Sequence, residues 1–164
     1  MAIRQMTDGR NYYRHDMYSP VTCLGYLLKV ADARTVSQLD RKFTDLGFSF
    51  AQWGVLLALE ETGSTTASTL ARLICRDPGS LSRLIDSLGR KGLIVRKRKL
   101  SDRRAAALDL TSKGRRLTGQ LKRQVVSFWN ETLREFRGSE VEALIKLLAR
   151  LVLAGSDRRS RQIS

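Results

Sequence analysis

A mainly α fold with a small β-wing is predicted by three observations on this 164-residue chain. Apolar residues recur at helical spacing through most of its length. One strand-like run follows Gly92, and two short helix patterns joined by a tight turn lie just before that run. The length fits one domain or one two-lobed unit. With 42% hydrophobic residues and two prolines, wholesale disorder is excluded.

Residues 1–19 are polar with interspersed aromatics and are expected to form an arm. From about Val21 to Phe43, the residues Leu24, Leu27, Leu28, Ala31, Leu39 and Phe43 support a long helix that Gly47 ends. Ser49 followed by Gln52 is a capping-box signature for a short, mostly buried helix that stops near Gly63. Thr66 caps the next helix, with Leu70, Leu73 and Ile74 on its apolar face, and the chain breaks at Cys75-Arg76. Asp77 then caps a segment in which Pro78 takes the first helical position, where a missing N–H costs nothing. Leu81, Leu84, Ile85 and Leu88 follow at i, i+3, i+4 and i+7, and Gly92 closes the helix. Two short helices in this order make a helix-turn-helix, the second with Ser80, Ser82, Arg83 and Ser87 on its polar side.

Leu93–Lys99 reads as a strand and Ala105–Thr111 as its return partner, around a polar tip of Leu100-Ser-Asp-Arg-Arg. This ribbon completes a winged helix-turn-helix. A helix starting at Thr111 or Ser112 is expected to run to about Phe136. Ser139 with Glu142 forms a second capping box for a last helix, striped by Val141, Leu144, Ile145, Leu148, Leu151 and Val152. The expected division is an arm and first dimerisation helix over 1–48, the winged helix-turn-helix over 49–111, C-terminal dimerisation helices over 112–155 and a flexible basic tail over 156–164. The first and last helices carry more apolar surface than one small core can cover, which calls for a homodimer.

The net charge is +14, with a pI near 10.7, so an anionic partner is expected. The charge is not scattered. Between Arg72 and Arg104, eleven cations face Asp77, Asp86 and Asp102, which places +8 of the +14 on 33 residues. These residues are the second helix and the ribbon, so the electrostatic footprint coincides with the motif. The expected partner is double-stranded DNA. Arg83 is the best base reader, because a guanidinium can bridge guanine O6 and N7, at roughly 1–3 kcal/mol of discrimination. Gly79, Ser80 and Ser82 would let the helix approach or would bond phosphate. Ser87, Arg90, Arg96 and Arg98 extend the same surface, and Asp102 with Arg103 and Arg104 suits entry into a narrow minor groove.

The order of elements and several words of sequence resemble the MarR family of bacterial transcription regulators from about Leu24 to Leu153. The words are Leu24-Gly-Tyr-Leu-Leu, Ala51-Gln-Trp-Gly-Val-Leu, Ser82-Arg-Leu-Ile-Asp-Ser-Leu with Lys91-Gly-Leu-Ile, and Ser101-Asp-Arg-Arg through Leu110-Thr-Ser-Lys-Gly-Arg. The resemblance implies a homodimeric regulator, most often a repressor, whose terminal helices form the dimer interface. It also implies release by a small phenolic or aromatic carboxylate effector bound between those helices and the DNA-binding lobe. Tyr26 and Trp53 fall in helices that would frame such a cleft, and Tyr12, Tyr13 and His15 belong to an arm that could cover it. Two departures stand out: Cys75 occupies a turn position where glycine is frequent in the family, and Pro78-Gly79 is an unusual start to the recognition helix.

Cys23 lies near the amino end of the first helix, where the dipole favours a thiolate, so thiol-based redox sensing is the alternative signal. A non-specific architectural binder is the competing function class. No enzyme is expected, since one His and no phosphate-cradling glycine loop or Ser/His/Asp set leave little for catalysis. Two isolated cysteines and a lone His cannot make a zinc set, so no metal is expected, and no cofactor is implied. The start lacks the apolar stretch of a secretory signal, and no run spans a membrane, so a cytoplasmic protein without a membrane partner is expected.

Overall fold

The computed structural model describes the backbone of residues 13, 15, 18–99 and 102–161, and the side chains of 13, 15, 18–97 and 106–155. The chain divides into two compact units, Met1–Leu121 and Lys122–Ser164.

In the first unit a 3-10 turn, Pro20–Thr22, precedes helix α1, Leu24–Thr44. Helix α2, Phe50–Thr62, starts at the expected capping box: Ser49 Oγ accepts from the Gln52 N–H at 3.2 Å, and Gln52 Oε1 accepts from the Ser49 N–H at 3.1 Å. Gly63 ends it at φ 65°. Strand β1, Thr65–Thr66, leads into helix α3, Ala67–Leu73, which Thr66 caps through the Thr69 N–H. Helix α4, Pro78–Arg90, has the expected Asp77 cap and Pro78 at its start. Gly92 follows at φ 67°, in the left-handed conformation a C′ glycine supplies. Strands β2, Ile94–Lys99, and β3, Asp102–Leu110, form the wing.

The sheet has three strands, not two, in the antiparallel order β1-β3-β2. Thr65 and Thr66 pair with Leu108 and Ala107, which ties the wing to the start of α3. Two residues carry no periodicity, so β1 has no local signature. The tip is also shorter than expected. Lys99 pairs with Asp102, after a register shift between Arg98 and Lys99, so Asp102, Arg103 and Arg104 belong to β3 and not to a loop.

The core of this unit forms around α2, which packs against α1, α3, α4 and β3. Val55, Leu56 and Leu59 are fully enclosed there, each contributing about 1.5–3 kcal/mol by leaving water. Leu39 and Phe43 of α1, Leu70 of α3, Leu81, Ile85 and Leu88 of α4, and Leu93, Leu108 and Leu110 of the wing complete the core. This contact with four neighbours explains why α2 is apolar on more than one side.

Helix α5, Ser112–Thr132, begins in the first unit, where Thr111 Oγ1 accepts from the Gly114 N–H at 3.0 Å and donates to the Gly92 carbonyl. It ends at Thr132 rather than near Phe136, and the Phe136 N–H then closes a turn on the Leu133 carbonyl. Helix α6, Gly138–Arg161, follows in the second unit. Ser139 lies inside it. The expected Ser139–Glu142 box is replaced by Glu140, whose carboxylate accepts from the Arg137 N–H at 2.8 Å, while Glu142 pairs with Lys146. The backbone is helical through Arg161, past Ser156 where a frayed tail was expected. Within α6, Leu144, Ile145, Leu147 and Leu153 are exposed in the single chain.

Candidate nucleic-acid interface

The turn before α4 closes α3 with the Arg76 N–H bonded to the Ala71 carbonyl, and Cys75 takes φ 50°. This is the left-handed position where glycine is the unstrained choice, so Cys75 carries a cost of roughly 1–2 kcal/mol. Its side chain is exposed. Asp77 Oδ1 accepts from the Ser80 N–H at 2.8 Å. That bond, the Ser80 hydroxyl and the nearby Arg83 hold the Asp77 carboxyl below its ordinary pKa. A Cβ at Gly79 would stand 3.3 Å from the capping carboxylate, so the cap leaves little space for a side chain there.

Helix α4 is strongly two-faced. Leu81, Ile85 and Leu88 are buried, whereas Gly79, Ser82, Arg83, Asp86, Gly89 and Arg90 are exposed along the opposite face. Gly79, Ser82, Arg83 and Arg90, four of the residues expected to contact DNA, therefore share one surface. Ser80 and Ser87 lie at its edges, half-buried. Ser80 serves the Asp77 cap, and Ser87 Oγ accepts from Gln52 Nε2 at 3.0 Å.

Asp86 sits in the middle of the exposed face and was not among the residues singled out from sequence. Its carboxylate pairs with Arg96 of β2 at 2.7 Å, joining the helix to the wing. Both partners are about half exposed, so the pair contributes orientation more than stability. An open groove of about 430 Å³ lies beside this pair, between α4 and β2, lined also by Ile85, Arg90 and Ile94. Deeper in the wing, Asp109 pairs with Lys97 at 2.6 Å and with Arg115 of α5 at 3.5 Å. The Lys97 hydrogen bond is the main cause that holds the Asp109 carboxyl below its ordinary pKa.

The cations are thus not equivalent. Arg96 and Lys97 are paired, and Lys91 is turned inward, its Nζ donating to the Gly47 carbonyl and lying 4.1 Å from the centre of the Phe48 ring. Arg83 and Arg90 form no ion pair among the described residues and remain available to phosphate or base. The side chains of Arg98, Asp102, Arg103 and Arg104 lie outside the described residues.

The candidate signal residues separate. Tyr12 lies outside the described residues, and His15 and Tyr26 are exposed. Tyr13 is exposed too, yet its hydroxyl accepts from the Leu24 N–H at 2.9 Å and so helps to start α1. Trp53 is buried, stacked on Phe50 at 5.4 Å and 6.3 Å from Phe43, as a core residue would be. Its indole Nε1–H nevertheless has no hydrogen-bond partner among the described residues. Cys23 is buried as the N-cap of α1, with Sγ accepting from the Tyr26 N–H at 3.4 Å. A hydrogen bond with Tyr18, followed by the Tyr26 amide, lowers the thiol pKa.

Among the described residues no group of His, Cys, Asp and Glu could hold a metal ion, and no helix is long and apolar enough to cross a membrane.

The family model for the MarR family matches residues 48–106, which run from the α1–α2 turn into the second strand of the wing. The chain is similar to wild-type MarR from E. coli, at 25% identity and a TM-score of 0.70, over 79% of this chain and 96% of that one. It is similar to the transcriptional repressor CouR, solved on a 23-mer DNA duplex, at 30% identity and a TM-score of 0.71, over 79% of this chain and 92% of that one. A MarR family regulator from Silicibacter pomeroyi shares the fold at 22% identity and a TM-score of 0.78, over 88% of this chain and 99% of that one. With a two-faced, cationic helix beside a basic wing, and with these likenesses spanning nearly the full length of the relatives, the chain belongs to the MarR family of transcriptional regulators.

Proposed function

We propose that this regulator binds a pseudo-palindromic DNA operator as a homodimer and represses transcription until a small aromatic carboxylate or phenolic ligand releases it. The observation that carries the DNA half is the exposed face of α4. There Arg83 and Arg90, unpaired among the described residues, project beside Ser82 and Gly79, and no other face of the helix offers cations. In this reading α4 enters the major groove, Arg83 reads a base edge, and the wing, with Arg96, Arg98, Asp102, Arg103 and Arg104, follows the backbone into the minor groove. CouR on its duplex supports the partner class.

The homodimer is supported by apolar side chains that one chain leaves in water: Leu24 and Leu27 on α1, Val126 and Trp129 on α5, and Leu144 and Ile145 on α6. Two-fold symmetry then spaces the half-sites by about 10 base pairs, or roughly 34 Å. The effector half is supported by the Trp53 indole N–H, a buried donor that a ligand oxygen could satisfy.

The deciding experiment is a binding titration on a duplex enriched by the protein from a random library, against a scrambled duplex, over a range of salt. Affinity for both should fall steeply with salt. Arg83→Ala should lower affinity for the enriched duplex by about 5- to 150-fold, the equivalent of roughly 1–3 kcal/mol, and much less for the scrambled one. Equal losses on both would favour the architectural reading instead.

A second reading of the signal rests on Cys23. The Cys23 thiol is buried as the N-cap of α1 and its pKa is lowered by Tyr18, and oxidation to a sulfenic acid would place an oxygen on the capping sulfur and so disturb the start of that helix. Peroxide that releases DNA from the wild type but not from Cys23→Ser would select this reading over the aromatic effector.

A further inference from the structure

We propose that Gln52 and Lys91 are positioning residues that fix the roll of α4, so that the α1–α2 turn decides how well the helix discriminates between sequences. This rests on the reading of α4 as the DNA-reading helix.

The apolar stripe of α4 holds it to the core, but burial of Leu81, Ile85 and Leu88 is non-directional and permits the helix to roll. Hydrogen bonds do not permit this. Gln52 uses both ends of its amide: Oε1 accepts from the Ser49 N–H, completing the α2 cap, while Nε2 donates to Ser87 Oγ of α4 at 3.0 Å. Four residues further along, at the C-cap of α4, Lys91 donates to the Gly47 carbonyl and covers the Phe48 ring. The turn that provides these partners is itself anchored to α1. Asp40 Oδ1 accepts from the Phe50 N–H, and the Phe48 N–H donates to the Phe43 carbonyl.

The end of α1, the backbone of residues 47–49 and the Gln52 side chain therefore form one hydrogen-bonded block that grips α4 at Ser87 and at its C-cap Lys91, whereas the Ser49 hydroxyl caps the Gln52 N–H and makes none of these bonds. Arg83 lies one turn before Ser87, and Arg90 lies just before Lys91. A roll of α4 swings both guanidiniums. Base-edge hydrogen bonds depend on direction, whereas phosphate contacts tolerate a shift because the charge is spread along the backbone. Loss of the grip should thus lower discrimination more than general affinity.

The test compares affinity for a duplex enriched by the wild-type protein from a random library with affinity for a scrambled duplex of equal length. The variants are Ser87→Ala, Gln52→Met, their double variant and Lys91→Met. Ser87→Thr keeps the hydroxyl, and Ser49→Ala weakens the α2 cap without touching the Gln52–Ser87 bond. The expected result is a fall of about tenfold in the enriched-to-scrambled ratio for Ser87→Ala, Gln52→Met and Lys91→Met. The double variant should be no worse than the weaker single, and Ser87→Thr and Ser49→Ala should keep the ratio. Additive losses at 52 and 87 would mean that Ser87 meets DNA on its own account, and they would overturn the positioning role, as would an unchanged ratio or the same fall in Ser49→Ala. If Gln52→Met does not fold, Ser87→Ala against Ser87→Thr and Ser49→Ala decides. A wild-type protein that enriches no duplex would instead overturn the reading of this chain as a sequence-specific binder.

Discussion

Replacing Gly114 with alanine puts a methyl group where the structure has a carbonyl. The added Cβ would lie 2.1 Å from the Leu93 oxygen, 3.1 Å from its carbon and 3.4 Å from Leu110 Cδ2. Relief needs a displacement of about 1 Å at least, since attractive contacts begin near 3.5 Å. The Leu93 carbonyl cannot move freely, because it accepts from the Thr111 N–H at 3.0 Å and shares the Thr111 hydroxyl, at 3.2 Å, with the nearer Gly92 carbonyl, the bonds that dock the start of α5 on the wing. Overpacking costs about 1–3 kcal/mol and each lost hydrogen bond about 1 kcal/mol, while alanine returns about 1 kcal/mol of helix propensity. The net loss is about 2–4 kcal/mol, a fall in Tm of roughly 5–15 °C for a chain of this size. Thermal and urea unfolding followed by circular dichroism, at one fixed protein concentration, measures it. Gly119→Ala on the same helix is the control: its Cβ would meet nothing within 4 Å, so it should be neutral or up to about 1 kcal/mol more stable. A Gly114→Ala protein that melts with the wild type would refute the claim that close approach, and not flexibility, requires this glycine.

Asp109 predicts a pH dependence. Its folded pKa is depressed, so its pairing with Lys97 stabilises the fold above the unfolded carboxylate pKa of about 3.9 and is lost as pH falls through the lower folded value. The Tm gap between wild type and Asp109→Asn should be constant near neutrality and close below about pH 4; a gap that widens in acid would contradict the assignment. Cys75→Gly should raise stability by up to about 1 kcal/mol, as it removes the left-handed strain, and Cys75→Val should lower it. Unfolding curves that rank the three in another order would count against that strain. In a native thiol titration the exposed Cys75 should react well before the buried Cys23, which mass spectrometry of the labelled peptides can check.

Local rules carried most of the helix boundaries. The Ser49–Gln52 box, the Asp77 cap with Pro78 behind it, and Gly92 were all legible, because each depends on a few neighbouring residues and on backbone geometry. The second capping box failed on the same ground. Glu140 stands two residues before Glu142, and its carboxylate, reaching the Arg137 amide, starts α6 without any hydroxyl partner. The concentration of positive charge on the helix-turn-helix and wing could be read by counting, and so could the likeness to the family.

Charge composition, caps and apolar periodicity, all short-range properties, were fixed in the sequence alone: they specified a helical protein with a cationic α4 and a wing. Tertiary structure alone decided which cations are available, since Arg96, Lys97 and Lys91 find partners 10, 12 and 44 residues away. It also added β1 to the sheet, turned Ser87 toward Gln52 and buried the Trp53 indole without an acceptor among the described residues. The physical reason is common to all four. A hydrogen bond or ion pair between distant residues depends on where the packed core brings them, and no local pattern encodes that distance.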